Sequence, residues 1–519
     1  EVLRELQRED PVPGQNLRLT VDVDLQRAAQ DALAEQIDSI NAFVASCVQN
    51  PGQVGCSGID PNDSTDAGVV VAIDPNTGEV LAMVSYPTYD NARFARNIDV
   101  GYYLEIIENP RNPLLNQAIS SLYPPGSTWK VITAAAALEE ETISPDSLLF
   151  DGGDILVENT YAEFDTGAAQ RFVCWNRAGH GNLNLQRALA ESCNVYFYQI
   201  GGGNDSLGEQ LLRDGGLGIG NLYRYGQALG IGAELGIELF NEVAGQMPNQ
   251  TWKRLTRGEN WSTGDTYNAA VGQGYIQITP LQLVTSVAAI VNNGTVYRPT
   301  LVREYLDAER NIVRPFQPDI LRTVNLEQPL PDGTLRLLLT EDMVIQGENS
   351  LACRCEPDSP EYNPARCNPN DYVASVDLAP GPERDIRQYS VFVPEGYPFN
   401  GGLCDDRYWN PNYEPAFLST QSMELVRRGM RDVVDYGTAD PEYNGRPTDI
   451  TAMLNGVESA GKTGTAEYCD NIAGPLGRCI QGAWPSHAWY VGYMPYDQPE
   501  ILVAAFVYNG DEGSANALP

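Results

Sequence analysis

The chain has 519 residues, of which 42% are hydrophobic, and a formal net charge of -36 from 33 basic and 69 acidic side chains. A surface this acidic repels phosphate backbones and anionic lipid head groups, which argues against a nucleic-acid-binding protein. We find no run of 18 or more apolar residues and no signal-peptide character at the start. We therefore expect no membrane span in these residues, and we expect them to be the soluble part of a longer protein.

The first part of the chain combines a linker, a helix and a hairpin. Residues 1–16 are charged and end in a Pro/Gly-rich stretch typical of a linker, and residues 17–20 alternate like a strand. Apolar residues at helical spacing predict an amphipathic helix over residues 22–37. Residues 68–73 and 79–84 flank a Pro-Asn-Thr-Gly turn and predict a β-hairpin.

The rest of the chain is helical first and strand-rich at the end. Helical patterns dominate residues 90–290, with Gly-rich loops between them. The later predictions are short strands at 296–298 and 301–302, a helix at 333–346, a helix at 420–434, and strands at 461–468, 487–493 and 501–508. This order predicts an α+β fold, in which an antiparallel sheet is built from both ends of the chain and a helical layer lies beside it.

Ten cysteines indicate an oxidising, extracytoplasmic compartment. Cys47 and Cys56 flank one turn-rich loop, Cys469 and Cys479 flank another, and a disulfide in either place would close a short ring. Four more lie in an irregular segment over residues 348–415, which we interpret as an insertion: Cys353, Cys355, Cys367 and Cys404. Their spacing matches zinc ligand patterns poorly, so we expect disulfides there, with zinc as the alternative. Cys174 and Cys193 are predicted to be buried thiols.

Histidine is scarce, because His180 and His487 are the only two in the chain. Neither has the sequence context of a Ser-His-Asp triad, and two histidines exclude a His-rich metal site, so we expect no metal and no cofactor. A serine nucleophile in this chain would therefore need lysine as its base.

Ser127-Thr128-Trp129-Lys130 supplies such a pair. A Tyr-Pro-Pro-Gly stretch stops the preceding structure, and Ser127 is predicted to cap the helix that follows. Lys130 then lies one turn from Ser127 on the same face. Burial would lower the pKa of the Lys130 amine, and the helix N-terminus would favour an oxyanion near the Ser127 amide. The alternative is a plain helix cap with a solvated lysine.

Two further motifs follow in order, Ser192-Cys193-Asn194 and Lys462-Thr463-Gly464-Thr465. Ser192 can relay a proton to a leaving nitrogen, and Asn194 can bind a substrate amide and Lys130. Lys462 supplies positive charge for a carboxylate and can polarise Ser192.

The residues after Lys462 complete the predicted site. Thr463 and Thr465 can bind the carboxylate, and Gly464 permits close backbone approach. The amides of Ser127 and Thr465 would form an oxyanion hole. Each motif alone has a structural explanation, but the three in this order point to one active site.

With these motifs, the chain resembles the transpeptidase part of class B penicillin-binding proteins, closest to the cell-elongation type, penicillin-binding protein 2. Further matching stretches lie at 19–26, 112–118, 123–130, 179–181, 272–274 with 279–282, 461–467 and 487–493. The resemblance implies a penicillin-binding/serine β-lactamase-like fold with a five-stranded antiparallel sheet flanked by helices. It also implies a division into residues 1–16 (linker or remnant of a pedestal domain), 17–347 and 416–519 (transpeptidase domain) and 348–415 (insertion). That insertion is not typical of the family.

The resemblance implies that Ser127 attacks the D-Ala-D-Ala bond of a peptidoglycan stem peptide, releases the terminal D-Ala, and passes the acyl group to an amine of a neighbouring stem. β-Lactams would acylate the same serine. The family works on the outer side of the bacterial cell membrane, held by an anchor that these residues lack, beside a membrane glycan polymerase of the shape, elongation or division type. A D,D-carboxypeptidase, a serine β-lactamase, and a non-enzymatic receptor or scaffold that binds muropeptide or β-lactam are the alternatives.

Overall fold

The computed structural model describes residues 14–157, 169–325, 334–339, 389–394, 416–443 and 450–517, apart from a few loop positions within these ranges. Its strands are β1 (Asn16–Leu19), β2 (Gly68–Ile73), β3 (Val80–Tyr86), β4 (Leu149–Asp151), β5 (Asp154–Val157), β6 (Gln170–Val173), β7 (Gly181–Leu183), β8 (Thr295–Tyr297), β9 (Val302–Leu306), β10 (Ile312–Arg314), β11 (Ile320–Thr323), β12 (Thr334–Leu339), β13 (Tyr389–Pro394), β14 (Ala460–Glu467), β15 (Ser486–Met494) and β16 (Ile501–Val507). Its helices are α1 (Val23–Gln49), α2 (Val100–Glu108), α3 (Gln117–Ser120), α4 (Lys130–Glu139), α5 (Leu185–Ala190), α6 (Asn194–Gly202), α7 (Gly218–Ala228), α8 (Gln250–Arg257), α9 (Thr263–Ala270), α10 (Pro280–Val291), α11 (Thr420–Asp435), α12 (Ile450–Met453) and α13 (Gly513–Asn516).

A five-stranded antiparallel sheet organises the molecule, in the order β14-β15-β16-β2-β3. The β2–β3 hairpin comes from the start of the chain and the other three strands from its end, so β16 pairs with β2 across more than 400 residues of sequence. The predicted α+β class and five-stranded sheet are confirmed. Strand β14, which carries the Lys-Thr-Gly-Thr motif, is the outermost strand at one end.

Helices cover both faces of this sheet. On one face, α1 packs Leu33, Ile37 and Val44 against Val84 and Val507 of the sheet. Helices α4 and α10 belong to the main core on the other face, and every residue of α10 is buried. Almost all of α4 is buried as well. Burial on all sides needs apolar or small side chains all round a helix, and the alanine-rich sequence of α4 provides them.

Two of the predicted helices needed correction. Helix α1 continues to Gln49 instead of ending near residue 37, because Ile40, Val44 and Cys47 extend its buried stripe. The helix predicted at 333–346 is wrong: residues 334–339 form β12, which pairs antiparallel with β13. A leucine-rich run fits a helix or a strand, and pairing with a distant segment decided in favour of the strand.

The cysteine predictions are confirmed where the structure describes them. Cys47–Cys56 and Cys469–Cys479 are disulfides, and Cys174 and Cys193 are buried free thiols. The predicted pairing within the insertion lies outside the described residues, as do Cys353, Cys355, Cys367 and Cys404. Among the helices that the structure describes, none combines the length and the apolar character of a transmembrane span.

Candidate active site

Ser127 lies in a short 3-10 turn, Gly126–Trp129, that leads directly into α4. Thr128 and Trp129 are buried, while Ser127 is half-buried. The prediction that Ser127 caps the helix is wrong, because the 3-10 turn begins before Ser127, at Gly126, and no side chain caps the turn or α4. The hydroxyl is therefore not committed to a backbone amide of its own helix.

Lys130 is fully buried at the start of α4, and the next motif holds its amine. Nζ donates to the Ser192 carbonyl at 2.8 Å, to Ser192 Oγ at 3.3 Å and to Asn194 Oδ1 at 2.6 Å. Burial lowers the pKa of Lys130 to about 8, although the neighbouring Cys174 and Cys193 act in the opposite direction. At pH 7 roughly one amine in ten is then neutral, which is the form a general base needs.

The backbone at Ser192 explains how the second motif reaches Lys130. Helix α5 ends at a Schellman turn, in which the Ser192 amide donates to the Leu189 carbonyl and the Cys193 amide to the Ala188 carbonyl. Ser192 takes the left-handed position of this turn, with φ of 51°. A non-glycine residue rarely adopts this conformation, and here it turns the chain so that α6 begins at Asn194.

Lys462 forms the opposite wall of the site, on β14. It is fully buried and donates to the Thr463 carbonyl at 3.0 Å. Burial lowers its pKa well below the usual value, and the nearby charge of Lys130 lowers it further. The two amines therefore lie close enough for their charges to interact.

Gly464 brings β14 against the Ser127 turn. A Cβ at this position would lie 2.9 Å from Thr128 Cγ2, 3.0 Å from Trp489 Cβ and 3.2 Å from the Pro125 carbonyl oxygen. A Cβ on Gly126 would in turn lie 2.5 Å from the Thr465 carbonyl oxygen. The close approach predicted at Gly464 is present, and the two glycines together set the width of the cleft.

The two threonines of the third motif differ in their surroundings. Thr463 is buried, and its hydroxyl lies 2.6 Å from that of Thr438. Thr465 is exposed, and its Oγ1 accepts a bond from the Gly513 amide at 3.3 Å. Thr438 follows α11 in a loop without a recognisable motif, so no local pattern connects it with the site.

A second polar cluster, missed from the sequence, lies directly behind Ser192. Asp151, Cys174, His180 and Cys193 place one donor atom each within 4.8 Å of one another. Asp151 Oδ2 lies 2.7 Å from His180 Nδ1 and accepts from Cys193 Sγ at 3.2 Å. Two sulfurs, an imidazole and a carboxylate are donors that suit Zn²⁺. The expectation of no metal rested on the histidine count and on the cysteine spacing in the insertion, and neither considered the donors of this cluster together.

The Asp151–His180 pair is strongly polarised. Burial alone would lower the pKa of His180, but hydrogen bonds to Asp151 and Cys174 raise it to about 9. Burial alone would raise the pKa of Asp151, but bonds from His180, Gly153 and Cys193 lower it to about 2. Because Cys193 is the middle residue of the second motif, this cluster supports the turn that presents Ser192 and Asn194.

Comparison with known proteins agrees with this geometry. The penicillin-binding protein transpeptidase domain model matches residues 68–337 and 410–518. The chain is 26% identical over its whole length to the peptidoglycan D,D-transpeptidase MrdA of Haemophilus influenzae and spans 57% of that protein.

Solved structures show the same similarity. Penicillin-binding protein 2 of Pseudomonas aeruginosa is 27% identical with a TM-score of 0.58, where the match covers 98% of this chain and 77% of that one. A chain from a peptidoglycan synthase complex is 28% identical with a TM-score of 0.61, and the match covers all of this chain and 63% of that one. The chain belongs to the penicillin-binding protein transpeptidase domain family.

Proposed function

We propose that the chain is the catalytic part of a peptidoglycan D,D-transpeptidase of the cell-elongation type. The observation that carries this proposal is the Lys130 amine, which is fully buried, has a pKa of about 8, and is held by Ser192 and Asn194 at the base of the turn that bears Ser127. A lysine in this state can take the proton of a serine hydroxyl near neutral pH.

In the first half-reaction, Ser127 Oγ bonds to the carbonyl carbon of the penultimate D-Ala, and Lys130 takes the hydroxyl proton. The carbonyl–nitrogen bond then breaks, and Ser192 passes a proton from Lys130 to the leaving amine of the terminal D-Ala. In the second half-reaction an amine of a neighbouring stem bonds to the ester carbonyl carbon, the bond from that carbon to Ser127 Oγ breaks, and a proton of the amine passes to Oγ and restores the hydroxyl. A β-lactam would also form an ester with Ser127. Its leaving amine stays attached through the opened ring, so no fragment departs.

The remaining residues bind the substrate. Lys462 attracts the carboxylate of the substrate, and the hydroxyls of Thr463 and Thr465 also bind it. Gly464 has no side chain and so permits close backbone approach at β14. The amides of Ser127 and Thr465 stabilise the oxyanion. The polar contacts of the Thr463 hydroxyl with Thr438 and of Thr465 with Gly513 fix both side chains before substrate arrives.

The cellular setting rests on the relatives. A similar chain was solved in a peptidoglycan synthase complex that couples polymerization to crosslinking, which supports a membrane glycan polymerase as the partner here. The two described disulfides support an extracytoplasmic site of action, at the periplasmic or outer face of the bacterial membrane. Attachment through an anchor outside these residues belongs to the same proposal.

The domain division also belongs to it. The family model leaves residues 338–409 unmatched, which supports an insertion at about 348–415 between two parts of one transpeptidase domain, 17–347 and 416–519. Residues 1–16 would be a linker or the remnant of an N-terminal pedestal domain.

Intact-mass measurement after incubation with a penicillin, followed by peptide mapping, tests the function. We expect one adduct per chain, located on Ser127, that persists for hours, and no adduct on Ser127→Ala. Loss of the label within seconds would show a β-lactamase. Labelling of Ser127→Ala, or no labelling of the wild type, would refute Ser127 as the nucleophile.

A further inference from the structure

Gln273 lies outside the three catalytic motifs but contacts β14, the edge strand of the site. It lies between α9 and α10, and its side-chain amide faces the backbone of Glu467 at the end of β14. Oriented so that both polar ends are satisfied, the amide donates to the Glu467 carbonyl at 3.2 Å and accepts from the Glu467 amide at 3.0 Å. In the opposite orientation its nitrogen would face the Glu467 amide, another donor, and would keep only a long bond of 3.4 Å to the Thr465 carbonyl. One side chain thus makes both bonds that a neighbouring strand would make.

This contact reveals which way the edge faces. Residues of an antiparallel strand alternate between those that bond to the neighbouring strand and those whose polar groups point away. The pairing of β14 with β15 runs from Ala460 to Glu467 without a bulge. Because the Glu467 amide and carbonyl point away from β15, those of Thr465 and Thr463 do too. Two contacts agree with this direction. The Thr465 carbonyl faces Gly126, and the Thr463 carbonyl accepts a hydrogen bond from Lys462 Nζ.

The loop that carries Gln273 is fixed against the nucleophile turn. The Gly272 carbonyl accepts from the Gly126 amide at 2.9 Å, and the Gln273 amide donates to the Asn268 carbonyl at 2.8 Å. Gly272 has φ of 72°, and a Cβ there would clash with Gly126 and Trp129. Gln273 therefore holds the end of the edge in a set position relative to Ser127.

We propose that Gln273 is a positioning residue that ends substrate pairing at Thr465. The inference rests on the proposed function, in which the carboxylate end of the peptide lies toward Lys462. The upstream residues of the stem then run along β14 toward Glu467, antiparallel to the strand. Gln273 already bonds to Glu467, so backbone pairing between β14 and the stem peptide stops at Thr465. The edge strand therefore recognises the last two residues of the stem and makes no backbone bonds to the residues upstream of them.

The test compares peptide lengths. The concentration of peptide that halves the rate of penicillin acylation is measured for acetyl-D-Ala-D-Ala and for a stem pentapeptide ending in D-Ala-D-Ala. In Gln273→Ala the Glu467 amide and carbonyl become available to the longer peptide. We expect the ratio of the dipeptide to the pentapeptide concentration to rise about fivefold over the wild type. Penicillin acylation without peptide should stay within about threefold.

Two variants serve as controls. Gln273→Glu keeps an acceptor at the Glu467 amide but loses the donor at the Glu467 carbonyl, so its ratio should lie between those of the wild type and Gln273→Ala. Gln30→Ala, an exposed position on α1, should keep the wild-type ratio. An unchanged ratio in Gln273→Ala, or no protection of the wild type by either peptide, would overturn the role of Gln273. Failure of penicillin to acylate the wild type would instead refute the proposed function.

Discussion

The amine of Lys130 lies 2.6 Å from Oδ1 of Asn194, and this contact joins the first two motifs across 64 residues of sequence. A buried amine without acceptors would be costly. Asn194 and the Ser192 carbonyl supply those acceptors without supplying a negative charge, so they hold the amine in place while burial keeps its pKa low. A carboxylate in the position of Asn194 would hold the amine equally well but would raise its pKa.

Replacing Lys130 by methionine should remove the base while keeping the volume. We expect acylation by a fluorescent penicillin to slow by about 100-fold or more, since general-base catalysis contributes factors of that size. The matched control is Lys253→Met, which removes another buried lysine, paired with Asp265 at 2.7 Å. It should lose stability but keep acylation within a few-fold. Equal rates for Lys130→Met and the wild type would rule out Lys130 as the base.

The acylation rate should depend on pH in one direction. The neutral amine is the active form and its pKa is lowered to about 8. The rate constant should therefore rise about tenfold per pH unit below 8 and level off above it. Stopped-flow acylation between pH 6 and 10, within the range where the fold is intact, measures this. A profile that is flat from pH 6 to 9 would mean that Lys130 is already neutral or does not act as the base.

The sequence proposes candidate residues for the site more readily than it predicts their geometry. Short motifs single out Ser127, Lys130, Ser192, Asn194 and Lys462, whose roles stay predictions, and the structure brings Lys130 into contact with Ser192 and Asn194. Their convergence depends on contacts that no local pattern encodes, such as the pairing of β16 with β2. The sheet was predictable because alternating segments and a Pro-Asn-Thr-Gly turn are local signals.

The errors have the same origin. The segment predicted as a helix at 333–346 contains a strand, because it pairs with a partner far along the chain. Gln273 and Glu467 lie in two stretches that match the family, but no local pattern shows that these stretches touch. The Asp151–Cys174–His180–Cys193 cluster was missed because its four donors come from separate loops and helix ends. Counting one residue type could not detect a site built from three.

Replacing Asp151 by asparagine should destabilise the support behind Ser192. The raised pKa of His180 gives stability that is complete below about pH 6.5 and lost as the pH rises through 9. The lowered pKa of Asp151 gives stability that is complete above about pH 4 and lost as the pH falls through 2. The melting temperature of Asp151→Asn, measured with a chelator, should therefore fall most between about pH 4 and 6.5.

The same measurement tests the metal-binding capacity of the cluster. Added Zn²⁺ should raise the melting temperature of the wild type with increasing concentration, because a ligand that binds the native state stabilises it. Asp151→Asn should respond less, since one donor is gone. A wild type that melts at the same temperature with chelator and with Zn²⁺ would show that the four side chains form a hydrogen-bonded cluster and no metal site.

Replacing Gly464 by alanine should separate the two walls of the cleft. Its Cβ would lie 2.9 Å from Thr128 and 3.0 Å from Trp489, so β14 or the Ser127 turn must shift by a few tenths of an ångström. Overpacking of this kind costs about 1–3 kcal/mol. We expect a lower melting temperature and penicillin acylation slowed by about tenfold or more, because the Ser127 and Thr465 amides would no longer converge on one oxygen. Gly220→Ala, at an exposed helical position with open space around its Cβ, should be neutral or slightly stabilising. If Gly464→Ala is destabilised but is acylated by penicillin at the wild-type rate, the spacing between β14 and the Ser127 turn does not limit the reaction.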